Sequence, residues 1–118
     1  MSTLTLNGPS VPQDVSNMIL RDALFHSSVD RPVSVSSYHL IEIGIREGAY
    51  TSWIGSWNQS TQSATAASPR TILDEGRLNQ RLKAGQVLVV KVTASGAPPS
   101  MIGSRVNFRM GLTGGRDG

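Results

Sequence analysis

The segment Leu82-Lys83-Ala84-Gly85-Gln86-Val87-Leu88-Val89-Val90-Lys91-Val92 decides the fold class. Its second half is dominated by valine, whose branched Cβ loses rotamer freedom in a helix and packs well on a pleated surface. Gly85 stands just before the run, where a turn calls for a backbone conformation that Cβ-bearing residues resist. The segment reads as a turn feeding a strand buried on at least one face, with Leu88, Val90 and Val92 directed inward.

The same period of two extends outward on both sides. Downstream, Gly96 and Pro98-Pro99 end the strand, and then Ile102, Val106, Phe108 and Met110 fall on one side with Arg105, Asn107 and Arg109 on the other. Upstream, Ile41, Ile43 and Ile45 alternate with Glu42, Gly44 and Arg46, and Val33 and Val35 alternate with Ser34 and Ser36. Tyr38 and Leu40 have the opposite parity, so a bulge or a break is expected near Ser36 and Ser37. Glu47-Gly48 is a turn, followed by a strand from Tyr50 to Trp57 on which Trp53 and Trp57, four residues apart, share a side. Asp14 to Phe25 is ambiguous between a short helix capped by Asp14 and a strand over Met18–Phe25, and the strand is the better fit. The first twelve residues, with Leu4, Leu6 and Val11 among polar residues and two prolines, read as an extended arm.

With 118 residues the chain forms one domain. Sixteen Ser, eight Thr, 12 Gly and 6 Pro favour turns and short strands over long helices. The expected architecture is all-β, an antiparallel two-layer β-sandwich with a jelly-roll arrangement left open. Residues 1–30 form an N-terminal arm and a short leading element, 31–112 the sandwich, and 113–118 a Gly-rich flexible tail. The absence of cysteine removes disulfides, thiol catalysis and thiolate metal sites. The longest apolar run, Val87 to Val90, is far below the roughly 20 residues that cross a bilayer, so a soluble, unsecreted chain without membrane contact is expected.

The residues offer little for catalysis. A nucleophile needs an oriented base, and only His26 and His39 could serve; His39 shares the parity of Ile41 and reads as a core-edge residue, while His26 lies beside Ser27 and Ser28. Two histidines and eight scattered carboxylates show no metal-ligand spacing; Asp74-Glu75 reads as a solvated turn, and Glu42 and Glu47 as surface charge. No catalytic residue, cofactor or metal is expected, and the protein is read as a non-enzyme. Tyr50, Trp53 and Trp57 admit two readings, a sugar-stacking platform or core aromatics; with six aromatic residues in the whole chain, core is favoured. Asn58-Gln59-Ser60 has the form of a glycosylation sequon, without weight in an unsecreted chain.

The net charge is +3 with no basic run, which disfavours nucleic acid as partner. Nine of the eleven basic residues are Arg, the cation enriched at protein interfaces. The arm, the thirteen-residue polar stretch Asn58 to Arg70 and the tail each cost entropy to order, and a partner surface would fix them. The partner-facing candidates are Leu4, Leu6 and Val11 in the arm, Arg105, Asn107 and Arg109 on the last strand, and Arg116 in the tail.

Three stretches, Val33 to Ile45, Leu82 to Val92 and Arg105 to Met110, together resemble the small β-sandwich accessory proteins of tailed-bacteriophage virions, above all capsid decoration or cement proteins. The resemblance implies a virion structural protein, made in the host cytoplasm, that binds the major capsid protein on the outside of an assembled shell as a homo-oligomer, often a trimer at symmetry axes. It carries no residue roles over. A head-to-tail connector, a tail protein or a carbohydrate-binding module are the competing readings.

Overall fold

A computed structural model describes residues 2–10, 18–74 and 80–112. Among them there are eight strands and no helix: β1 Ser2–Ser10, β2 Met18–His26, β3 Tyr38–Glu47, β4 Tyr50–Asn58, β5 Arg70–Thr71, β6 Gln80–Leu82, β7 Val87–Ser95 and β8 Arg105–Leu112. All pairings are antiparallel. One sheet has the order β1-β7-β3-β4. In the other, β2 is central; β8 pairs along its whole length, which leaves the opposite side to β6 at Met18–Leu20 and β5 at Leu24–Phe25. The chain is therefore an all-β antiparallel assembly consistent with a sandwich.

The period-two stretches supply the facing layers. Ile41, Ile43, Ile45, Trp57, Leu88 and Val90 from the first sheet meet Leu20, Ala23, Phe25 and Leu82 from the second, with Phe25 and Trp57 ring centroids 4.9 Å apart. Half-buried Val106, Phe108 and Met110 on β8 pack against this core. Gly48 and Gly85 hold positive φ, 64° and 84°, at the two turns where the sequence demands a glycine.

Several expectations are corrected. Of the stretch read as an arm, Ser2–Ser10 is strand β1, in register with β7 from Ser2 opposite Ala94 to Asn7 opposite Val89. The free edge of the valine-rich β7 explains this, since an unpaired strand edge is a template for the next segment. The leading element is β2, the centre of the second sheet, so the sandwich includes strands from within residues 1–30. The helical alternative fails over Met18–Phe25, and Asp14 lies outside the described residues, as do Val11 and the tail 113–118. Val33 to Ser36 form no strand; Val35 is 78% exposed, and the break falls before Tyr38. Ile102 is likewise in a turn ahead of β8, closed by Ser104 N–H donating to Met101 O at 2.9 Å.

The two tryptophans do not share a side. Between β3 and β4 the register passes from Ile43 opposite Gly55 to Gly44 opposite Trp53, leaving Ile54 as an extra residue. This bulge reverses the parity: Trp57 is fully buried and Trp53 is 43% exposed.

One side of the sandwich is stitched shut. Residues 72–74 cross over β4, with Gly55 bridged to Leu73, Asp74 N–H donating to Ile54 O, and Ile72 N–H donating to Ala23 O, both at 2.9 Å. A Cβ on Gly55 would collide with the backbone of Ile72 and Leu73. Gly55→Ala is expected to lower stability by about 1–3 kcal/mol through overpacking against backbone; an unchanged urea midpoint would refute this account of the seam.

Candidate partner-binding site

The opposite side of the sandwich is open. Among the described residues, β1 pairs only with β7 and β8 only with β2, so each carries a free edge. Between these edges lies a cleft of about 1000 Å³ lined by apolar side chains of both sheets, including Leu4, Leu6 and Val92 on one wall and Phe25, Val106 and Phe108 on the other. The walls converge near Gly8, where an added Cβ would meet the Phe108 ring at 3.2 Å. Leu4 and Leu6 remain 58% and 49% exposed although their register places them on the core side of β1. Exposed leucines beside a cleft of this size form an apolar patch open to solvent.

The last strand presents its polar side to the other face of its sheet. Arg105, Asn107 and Arg109 are exposed and pair in register with His26, Leu24 and Asp22 on β2. The Asn107 side-chain amide lies 3.2 Å from His26 Nε2. On β2 a second bulge leaves Arg21 as the extra residue between Leu20 and Asp22, and its guanidinium passes over Gly111, where a Cβ would stand 2.8 Å from Nε. The structure thus gathers Leu4, Leu6, Arg105, Asn107 and Arg109 around one cleft and adds Arg21, which the alternation pattern could not place because the bulge shifts it.

The cleft ends against a hub that the sequence did not signal. Arg31 is fully buried. Its Nε donates to Ser27 Oγ at 2.8 Å, and its terminal nitrogens donate to Pro99 O at 2.9 Å, Ser100 O at 2.7 Å and Ser104 Oγ at 3.5 Å. Its backbone exchanges hydrogen bonds with Ala64, which ties down the polar stretch after β4. That stretch is ordered from within: Gln59 receives the His39 N–H on Oε1 and donates through Nε2 to Pro32 O, and Trp57 Nε1 donates to Ser63 O. The loop that the composition assigned to a partner is held by its own domain.

His39 sits in the cleft wall, buried, with Nδ1 lacking a hydrogen-bond partner. Burial holds its pKa below the ordinary value, and the positive charge of Arg31 adds to the effect. Among the described residues no group of three His, Cys, Asp or Glu side chains is placed to hold a metal ion, and no helix is long and apolar enough to cross a membrane. The sugar-platform reading loses its paired tryptophans to the bulge at Ile54; Trp53 lies on the outer face with Lys91 Nζ 5.7 Å from its ring centroid, and Lys91 reaches Glu42 at 3.9 Å.

With this geometry in place, comparison of the chain with protein-family models, with curated proteins and with solved structures finds no match.

The depressed pKa of His39 has a signed consequence. The unfolded chain takes up the proton first, so His39's contribution is fully present above the ordinary histidine value and is lost as pH falls through it towards the lower folded value. The melting temperature is expected to drop as pH falls below the ordinary histidine value of 6.5, and His39→Gln should flatten that drop. An equally steep profile in the variant would reject the assignment.

Proposed function

We propose that this chain is a non-catalytic structural protein of a virion, which docks on an assembled shell and stabilises it as a decoration or cement protein. The observation that carries the reading is the cleft between strand edges that are free among the described residues, floored by apolar side chains and flanked by the guanidinium groups of Arg21, Arg105 and Arg109, which have no ion-pair partner among those residues. That arrangement suits adhesion: apolar area is available for burial, and backbone groups and Arg forks are available for directional contacts. The sequence resemblance to phage accessory proteins supplies the kind of assembly. A ligand that binds only the assembled lattice stabilises it by mass action, and copies grouped around a symmetry axis, such as trimers, add avidity. The major capsid protein is the proposed partner.

The structure changes where contact is sought. Ser2–Ser10 belongs to a sheet, so its removal would expose β7, and the useful variant keeps the strand and changes the exposed cleft side chains. Leu4→Ser combined with Leu6→Ser should leave a cooperative melt and abolish retention on particles. Mass spectrometry of purified particles should count on the order of hundreds of wild-type copies, since decoration repeats with the lattice. A dozen or fewer would instead indicate a connector or tail component, and none would reject a virion role.

A further inference from the structure

We propose that the free edge of β8 accepts one extended strand of a partner protein in which acidic and apolar residues alternate. The inference deepens the docking role proposed above and rests on it only for the partner's source. Within Arg105–Leu112 there is no Pro and no bulge on β8 itself, so of the devices that blunt exposed edges β8 carries only the charges of Arg105 and Arg109, which an acidic strand would neutralise. The edge of β1 is interrupted by Gly8-Pro9. A strand laid against β8 would satisfy its unpaired backbone groups, and the pleat then dictates what its side chains meet.

On the cleft side the incoming strand meets Val106 and Phe108, facing Leu4 and Leu6. Alternate residues there must be apolar. On the outer side it meets Arg105, Asn107 and Arg109, and then the Arg21 guanidinium above Gly111, at steps of roughly 7 Å along the strand. None of these three arginines has an ion-pair partner among the described residues. The carboxylate of Asp22, opposite Arg109 in register, accepts from Ala23 N–H at 2.8 Å and from the Thr71 hydroxyl at 3.2 Å and makes no ion pair with any of the three guanidinium groups. Alternate residues on that side are therefore selected to be Asp or Glu, whose two oxygens match the guanidinium fork.

Charge also decides against a second copy of this chain. Antiparallel β8–β8 pairing centred on Asn107 sets Arg105 opposite Arg109, and pairing centred on Phe108 sets Arg105 opposite the Gly111 that carries Arg21. Like charges directly opposed across strands are destabilising. Nucleic acid is disfavoured by the same face, because among the residues in register with Arg105, Asn107 and Arg109 the one ring is the His26 imidazole, held 3.2 Å from the Asn107 amide, which makes no run of stacking platforms.

The test uses the whole chain in solution and a fluorescein-labelled peptide of about nine residues, the length of an ordinary strand, alternating Glu and Val. Fluorescence anisotropy is expected to show saturable binding of this peptide, with a Lys-Val peptide binding at least about tenfold more weakly. Arg105→Glu with Arg109→Glu should invert that preference, and circular dichroism should show the variant folded, since both side chains are exposed. Amide hydrogen exchange should slow across Arg105–Leu112 when the Glu-Val peptide is bound. Equal binding of the two peptides, no binding of either, protection at β1 instead of β8, or displacement of the peptide by oligothymidylate would each overturn the proposal. Because no particle is present, failure here leaves the particle copy number and the Leu4/Leu6 result standing, and failure of those leaves the edge result standing.

Discussion

The open side of the sandwich depends on a buried cation with no carboxylate partner among the described residues. Arg31 delivers its guanidinium to two main-chain carbonyls and two serine hydroxyls, and burial lowers its pKa while leaving it charged. Removing that charge from water is costly, and several hydrogen bonds from a charged donor to aligned dipoles offset the cost. Lys could not substitute, because a single ammonium cannot span acceptors that lie in the plane of a fork. The bonds to Pro99, Ser100 and Ser104 locate the turn that ends immediately before β8. Position of the turn sets position of the strand, and the strand forms one wall of the cleft.

Two one-residue insertions then decide which side chains the surface shows. Ile54 in β4 sends Trp57 into the core and Trp53 to the outer face; Arg21 in β2 swings a guanidinium across to β8. Because the pleat repeats every two residues, each insertion exchanges the faces of everything beyond it. In this protein the bulges convert what would be an aromatic pair and a scattered cation into a packed core and a cationic stripe.

The asymmetry between the two sides follows from the same economy of contacts. Where β4 meets residues 72–74, the missing side chain of Gly55 lets backbone approach backbone and hydrogen bonds close the seam. Between β1 and β8 no such seam closes: Leu4, Leu6, Val106 and Phe108 line an open cleft, and the walls approach near Gly8, where a Cβ would meet the Phe108 ring. A sandwich sealed on one side and open on the other presents a single preferred direction for contact, which suits a protein whose proposed work is attachment.

Much of the fold was legible in the residues alone. The alternations at Ile41–Ile45, Val87–Val92 and Arg105–Met110, and the glycine turns at Gly48 and Gly85, are local consequences of the pleat and of permitted backbone angles, and the structure places strands and turns there. Leu4, Leu6, Arg105, Asn107 and Arg109 could be singled out from exposed-looking apolar and cationic positions, but their convergence on one cleft could not. That convergence, the recruitment of Ser2–Ser10 into a sheet, the parity of the tryptophans and the burial of Arg31 were decided only in three dimensions. Each turns on which distant segment lies alongside. A strand's own sequence sets the direction of its side chains, whereas its neighbours set its edges, its bulges and the dielectric around its charges.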